Sequence, residues 1–271
     1  MNPITEKEFR QLVDHIKSNY GINLTHKKTL VIGRLQNYLV QNNLKSFSEY
    51  YEYVLSDKTG KAAAELLNKI TTNHTFFMRE PEHFNYFNKT VLPYLASAEA
   101  SKKDLRIWSA GCSSGEEPYT LAMIISDYFG PNKGTWDTHI LATDISTKVL
   151  EAAVNGIYSN EEIASVPDKW KKDYFRKYDE ENYVIHDKIK NEVVFRIFNL
   201  MNTDFPFRKR FHVIFCRNVM IYFDDKTKNE LVHRFYDYTE PGGYLFIGHS
   251  ESLNREITRY KYVMPAVYRK E

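Results

Sequence analysis

The chain has 271 residues, enough for one large domain or two modest ones. At 42% hydrophobic and 27% charged residues it has the composition of a soluble globular protein, and a net charge of +2 gives no global case for nucleic-acid binding. No apolar run approaches the roughly 20 residues needed to span a bilayer, and the opening MNPITEKEFRQ lacks the apolar core of a secretory leader, so a cytoplasmic protein without membrane insertion is expected.

In chain order, Thr5 and Glu8 form a capping box ahead of Phe9, Leu12, Val13 and Ile16 at helical spacing, and Gly21 closes that helix. A second helix is predicted from about Lys27 to Gln41, with Leu30, Val31, Leu35, Tyr38 and Leu39 on one face. Ser46 and Glu49 make a further capping box for a Tyr-rich helix to about Leu55, and Gly60 separates it from a fourth, Lys61 to Thr71. Residues 1–72 therefore read as a small all-helical domain. From His15 through Ser48 there is no Asp or Glu, while Lys17, Lys27, Lys28, Arg34 and Lys45 fall within it. Such a run is either a solvated basic face or a docking face for an acidic macromolecule, nucleic acid or acidic protein.

Thr72 to Pro81, TNHTFFMREP, is a polar and aromatic connector, followed by helices over His83–Asn88 and Val91–Ala98. Strands are then expected over Leu105–Ser109, Thr138–Thr143, Val194–Ile197, His212–Phe215, Tyr244–Ile247 and Tyr262–Tyr268. Between them lie helices from Glu117 to about Phe129, from Ser146 to about Val154 and from Lys226 to Tyr238. That alternation predicts a mostly parallel α/β sheet with helices on both faces. Gly156–Asn191 is too long for a crossover loop and carries strand-like pieces at Asp173–Tyr178 and Tyr183–Ile185, which predicts a small inserted β-subdomain.

In such a sheet, ligands are met at the carboxyl ends of the strands. Here those ends are Gly111–Gly115, Asp144, Asn199-Leu200 and Arg217-Asn218. Asp144 can accept both hydroxyls of a ribose, or be an ordinary helix-capping Asp, since Ser146 follows it. Asn199 can read an amide or amino edge, or simply shape a turn. The loop lacks GxGxxG and is followed by Glu116 and Glu117, which repel a pyrophosphate and suit a cation such as the sulfonium and ammonium of S-adenosylmethionine. Acidic residues in a first helical turn also complement the helix dipole, and one Glu can serve each purpose. Cys112 and Cys216 belong to no CxxC or His/Cys cluster of metal-ligand spacing, so reduced thiols and no metal are expected.

NHTFFMRE (Asn73–Glu80), WSAGCSSGEEPYTLAM (Trp108–Met123), ATDIS (Ala142–Ser146), FCRNVMIYFD (Phe215–Asp224) and GHSESL (Gly248–Leu253) resemble the chemotaxis receptor methyltransferases, the CheR family, over nearly the whole chain. The resemblance implies a Rossmann-like S-adenosylmethionine-dependent methyltransferase sheet over residues 91–271, with a β-subdomain inserted at about 156–191. An all-helical N-terminal domain precedes it, and residues 73–90 form a connector that contributes to the cofactor site. It implies methyl transfer from S-adenosylmethionine, with S-adenosylhomocysteine as product, to glutamate side chains of chemoreceptors as γ-glutamyl methyl esters in sensory adaptation.

Carried over position by position, the resemblance assigns Asn73, Thr75, Arg79, Glu117, Asp144, Asn199, Leu200, Arg217 and Asn218 to the cofactor. It places Arg79 and Tyr222 nearest the transferred methyl, and leaves Glu116 as the dipole complement. It supplies the basic stretch with a partner, the acidic glutamate-bearing helices of receptors, docking at Lys27, Lys28 and Arg34. It also implies a monomer without nucleic-acid substrates. The absence of an N-P-P-Y-like base-binding tetrapeptide agrees with that last expectation. A degenerate receptor-docking module and a dinucleotide-dependent dehydrogenase are the remaining alternatives, the latter disfavoured by the loop.

Overall fold

The computed structural model describes residues 4–271; of the opening MNPITEKEFRQ, residues 1–3 lie outside them. Four helices open the chain: α1 (Glu6–Tyr20), α2 (Lys28–Gln41), α3 (Phe47–Ser56) and α4 (Lys61–Ile70). The Thr5–Glu8 capping box forms as expected, and Gly21 caps α1 at φ +74°. Glu8 does a second job, accepting from Ser48 N–H (3.0 Å), which pins α3 to α1. The second capping box forms only by half. Ser46 accepts from Glu49 N–H, but Glu49 accepts from Lys45 N–H (2.6 Å), one residue early. Ile16, Val31, Leu35, Leu39, Tyr50 and Leu66 close a core of their own. Leu30 is a correction: it is half-buried and faces the cleft described below instead of that core.

The connector leads into α5 (Pro81–Tyr86) and α6 (Leu92–Ala98), which are one helix joined by a π turn at Phe87–Val91. Pro93 explains the widening: it lacks an N–H, and its ring would collide with the carbonyl four residues back in a regular helix. Two separate helices, His83–Asn88 and Val91–Ala98, were expected; the structure makes them one.

The sheet is built from β1 (Ile107–Ala110), β2 (Ile140–Asp144), β6 (Val193–Ile197), β7 (Phe211–Cys216), β8 (Thr239–Ile247), β9 (Lys261–Met264) and β10 (Val267–Arg269). Their order is β6-β2-β1-β7-β8-β10-β9. The first five are parallel, and the β9–β10 hairpin closes the edge antiparallel. One terminal strand was expected; Ala266, at φ +62°, folds it into two.

All four β1 residues are buried, because both faces of the sheet are covered. One face packs on α7 (Glu116–Phe129) through Leu121, Ile124 and Ile125. The other sets Trp108 among Phe198, Phe205, Phe211 and Phe235 under α11 (Asp225–Asp237). The helix α8 (Thr147–Asn155) follows β2, capped by Ser146 as expected. The inserted piece is a three-stranded antiparallel sheet, β3 (Ile157–Ser159), β5 (Asn182–Ile185) and β4 (Phe175–Lys177), flanked by α9 (Asp168–Tyr174) and α10 (Asp187–Lys190). Among the described residues no helix is long and apolar enough to cross a membrane.

Polar contacts tie the helical domain to the sheet domain. Lys17 pairs with Asp224 at 2.7 Å, and Asn199 donates to Asn19 O at 2.7 Å. Asn23 N–H donates to Tyr222 O at 2.8 Å, and Ser146 donates to Asn68 Oδ1 at 2.6 Å.

Candidate active site

Strand order reverses between β1 and β7, and at their carboxyl ends a cleft opens between the sheet, the connector and the helical domain. It encloses about 1220 Å³ counting its open mouth. The strand-end loops, Asn73–Phe76, Arg79, Tyr222, Lys27 just ahead of α2 and the α2 residues Leu30 and Arg34 all line it. Every expected cofactor and catalytic residue is on that lining, and of the docking trio only Lys28 is off it. Four of the seven non-glycine residues with positive φ among those described surround the cleft: Met78, Glu80, Ser113 and Asn218. Backbone held in this sparsely populated region concentrates at functional sites.

The first loop is drawn tight over the end of β2. Gly111 and Cys112 N–H groups donate to Thr143 O, at 2.7 and 2.9 Å. Gly111 sits at φ +85°, and a Cβ there would lie 2.4 Å from Val219, so glycine is required twice over. Asp144 accepts from Ser113 N–H and Ser146 N–H, both at 2.9 Å, and burial raises its pKa despite those donors. The helix-capping reading is corrected: Ser146 caps α8, while Asp144 braces the turn through these donors and lines the cleft.

Glu117 accepts from Ser109 Oγ (2.7 Å) and pairs with Arg217 (2.9 Å). Its charge is therefore largely offset within the protein, whereas the sequence alone suggested an acid free for a cationic ligand. Arg217 is the hub. Its side chain is 2% exposed, lies over the Phe84 ring, and donates to Glu117, to Glu80 (3.2 Å) and to the Arg79 carbonyl. Asn218 donates to Glu80 as well (3.2 Å).

Glu80 and Glu251 were missed from the sequence, although both lie within the motifs quoted above. Glu251 is buried and accepts from the N–H groups of Asn218, Ile221 and Gly248. Burial would raise the Glu80 carboxyl, but Arg217 and the Asn218 and His249 donors outweigh it and leave the pKa lowered. Gly248 is fixed by the same packing, since a Cβ would meet Asn218 Nδ2 at 2.4 Å.

Glu116 departs from its expected role as a dipole complement. It is 2% exposed, accepts from Ser114 Oγ, and is pushed up to about 7 by desolvation. A carboxyl half-protonated near neutrality complements a dipole poorly. The folded state holds its proton where the unfolded chain has lost it, so its contribution to stability is complete below about 4.5 and is lost as pH rises through about 7. Glu116→Gln should therefore match the wild type at pH 5 and exceed it by about 2–3 kcal/mol at pH 8. Thermal unfolding across that range checks this; a constant difference between the two proteins contradicts it.

Asn199 donates its amide N–H to the Asn19 carbonyl and its Oδ1 accepts from Met201 N–H (2.9 Å), so it acts as a turn and domain tie as well as lining the cleft. Arg79 is half-buried and donates to His74 O (2.8 Å); it has no carboxylate partner among the described residues. The Tyr222 hydroxyl lies 3.4 Å from Thr72 O, and its ring stands 5.5 Å from Lys27 Nζ. Both cysteines are buried, and desolvation raises their thiol pKa values well above normal, which makes neither a nucleophile.

The basic stretch is less free than its sequence suggests, because acids from elsewhere fold onto it. Lys28 pairs with Glu6 and Lys17 with Asp224. Arg34 clamps the end of α4 and the connector, donating to the Ile70 and Thr71 carbonyls and to Thr72 Oγ1 (2.8 Å). Lys27 alone of the trio stands exposed at the cleft mouth with no acid partner among the described residues.

Residues 73–268 match the family profile described as CheR methyltransferase, SAM binding domain, and residues 7–71 match that described as CheR methyltransferase, all-alpha domain. The chain belongs to the CheR methyltransferase family. It is 43% identical over 270 residues to the chemotaxis protein methyltransferase of Borreliella burgdorferi, covering 98% of this chain and 95% of that one. It is 37% identical to the probable chemotaxis protein methyltransferase of Rhizobium etli, covering 94% and 99%. Against the chemotaxis protein methyltransferase of Escherichia coli the identity is 35%, covering 98% and 91%. The larger part of this CheR-family chain is thus a cofactor-binding methyltransferase domain, with the family's helical domain before it.

Proposed function

We propose that this protein transfers the methyl group of S-adenosylmethionine to glutamate side-chain carboxylates of chemotaxis receptors, forming γ-glutamyl methyl esters in sensory adaptation. The observation that carries this reading is Arg79, a half-buried cation on the cleft wall whose charge meets no carboxylate within the described chain. A carboxylate substrate is the natural partner for such a group. The division at residues 1–72, 73–90 and 91–271 follows from the same reading: a docking domain, a connector shaping the cleft, and a transferase with an insert at about 156–191.

The lining fits the cofactor. Asp144 offers a carboxylate for a diol, and Glu117 and Asn73, Thr75, Leu200 and Asn218 supply acid, polar and apolar contacts around one wall. Arg217 and Asn199 act on this wall chiefly by holding it, through Glu117 and the domain tie. When bound, the cofactor supplies an electrophilic methyl; the remaining work belongs to this chain. A glutamate, with an ordinary pKa of about 4.3, arrives ionised at neutral pH, so no general base is required. Arg79 orients that carboxylate in line with the acceptor direction, and Tyr222, braced by Thr72 and Lys27, walls the cavity and excludes water. Transfer of labelled methyl to receptor-containing membranes, released as methanol by mild base, tests the reading. Label stable to base, or label on purified RNA or DNA instead, would overturn it.

Electrostatic docking now narrows to one side chain. Lys27→Glu is expected to slow receptor methylation about tenfold at low salt, with the deficit shrinking as salt rises and cofactor affinity nearly unchanged. Reversal at Lys28 should do less, because Glu6 already neutralises it, and reversal at Arg34 should unfold the α4 end. Methylation rates at two salt concentrations decide this; identical rates for Lys27→Glu and wild type at both would remove the docking role.

A further inference from the structure

Beside the cleft, on the far side of Arg217, three metal-ligating side chains converge that the sequence kept apart. Glu80 and His83 flank the start of α5, and His249 follows β8. One ligand atom from each lies within 4.8 Å of the other two. His83 is completely buried, yet neither ring nitrogen completes a hydrogen bond. Its Nδ1 lies 3.3 Å from Glu80 Oε2 off hydrogen-bond geometry, and the nearby Pro265 carbonyl exerts only a weak pull. A fully buried imidazole with two orphaned nitrogens is costly, and such groups call for a water, an ion or a function. The His249 ring meets it edge-on at 4.5 Å and is exposed, free to turn.

We propose that Glu80, His83 and His249 form a site for a divalent transition-metal ion of the zinc class, and that filling it antagonises cofactor binding in the adjacent cleft. Two imidazoles and one carboxylate are a competent borderline-soft set, leaving one position for water. Glu80 and His83 already stand 3.3 Å apart, and bonds of about 2.0–2.2 Å require His249 to close on them, which its exposed position allows. Burial foremost, with the Arg217 charge, pushes the His83 pKa down to about 4, so its ring is neutral and carries a free lone pair at pH 7.

The opposing charge is Arg217, and it is the source of the antagonism. The Glu80 carboxylate is held at 3.2 Å by Arg217, Asn218 and the His249 N–H. A metal ion must take it from Arg217, and Arg217 is the group that fixes Glu117 on the cofactor wall. By reciprocity, a ligand that needs Arg217 in place weakens the metal by the same factor. This coupling rests on the cofactor reading of the cleft; the metal site itself does not.

Zinc titrated into the full-length protein against a chromogenic chelator tests the site. One high-affinity zinc per chain is expected, weakened at least about tenfold by His249→Ala and by His83→Asn. The exposed His249 keeps the test valid if the buried His83 variant fails to fold. In calorimetry, S-adenosylmethionine affinity should fall on zinc loading in the wild type and fall much less in His249→Ala, an arm that carries the same chelation of zinc by the free cofactor. Zinc binding that ignores His249→Ala, or wild-type cofactor affinity indifferent to zinc, overturns the proposal. Failure of cofactor binding in the zinc-free wild type would instead count against the function proposed above.

Discussion

Arg217→Met should cost the protein about 3–5 kcal/mol of stability and, with it, cofactor affinity. Methionine stands in for the aliphatic stem but ends short of the guanidinium, so the variant removes the charge together with its hydrogen bonds and its stacking on Phe84. Without the guanidinium, Glu117 and Glu80, whose side chains are only 14% and 15% exposed, face each other across the cleft wall uncompensated. Breaking a buried ion pair by removing one partner leaves the desolvation penalty of the other in place, and here two carboxylates share one cation. The lowered pKa of Glu80 should rise toward or above its ordinary value, because the Arg217 charge is the leading influence holding it down against burial. Chemical denaturation and S-adenosylmethionine calorimetry check this. A double variant with Glu117→Gln should recover part of the stability, since one stranded charge is removed. Wild-type stability and affinity in Arg217→Met would show that water reaches these carboxylates and that the hub is dispensable.

Arg79→Ala should lower the turnover of receptor methylation about 10²-fold or more, while the protein stays folded. The side chain makes one hydrogen bond, to a connector carbonyl, and stands over Phe76 at 5.8 Å, so little of the fold depends on it. What it offers is a fork of donors fixed beside the cleft, and orientation of an already ionised nucleophile is worth more here than its activation. Pairing that is too strong would blunt the carboxylate, and the partial exposure of Arg79 moderates it. Arg79→Lys should recover only part of the rate, because an ammonium is a point charge without the planar fork. Turnover is measured with saturating cofactor and labelled methyl. Near-normal methylation by Arg79→Ala would remove this residue from the mechanism and leave Lys27 and Arg34 as the cleft cations without a carboxylate partner among the described residues.

The elements were legible where one physical signal dominated. Thr5–Glu8, Gly21, Gly60 and Ser146 bounded helices where local hydrogen bonding and positive φ demand those residues, and the alternation after Leu105 required a parallel sheet. Reading failed where two signals competed. The break expected between Asn88 and Val91 is a π turn inside one helix, which Pro93 in the following turn accounts for. Tyr262–Tyr268 alternated like one strand but turns at Ala266, where pairing β10 against both β8 and β9 repays the left-handed residue.

By itself the sequence determined the fold class, the strand ends that line the cleft, and a family resemblance that the comparisons bear out. Only the tertiary structure decided how the charges are spent. Pattern and spacing act along the chain within a turn or a strand, whereas ion pairs join residues far apart. Arg217 reaches Glu117 a hundred positions away and Glu80 still farther, Glu6 and Asp224 fold onto the basic stretch, and His249 arrives beside His83. Which acid answers which base, and which cation is left for a substrate, depends on burial and distance, and neither exists until the chain has folded.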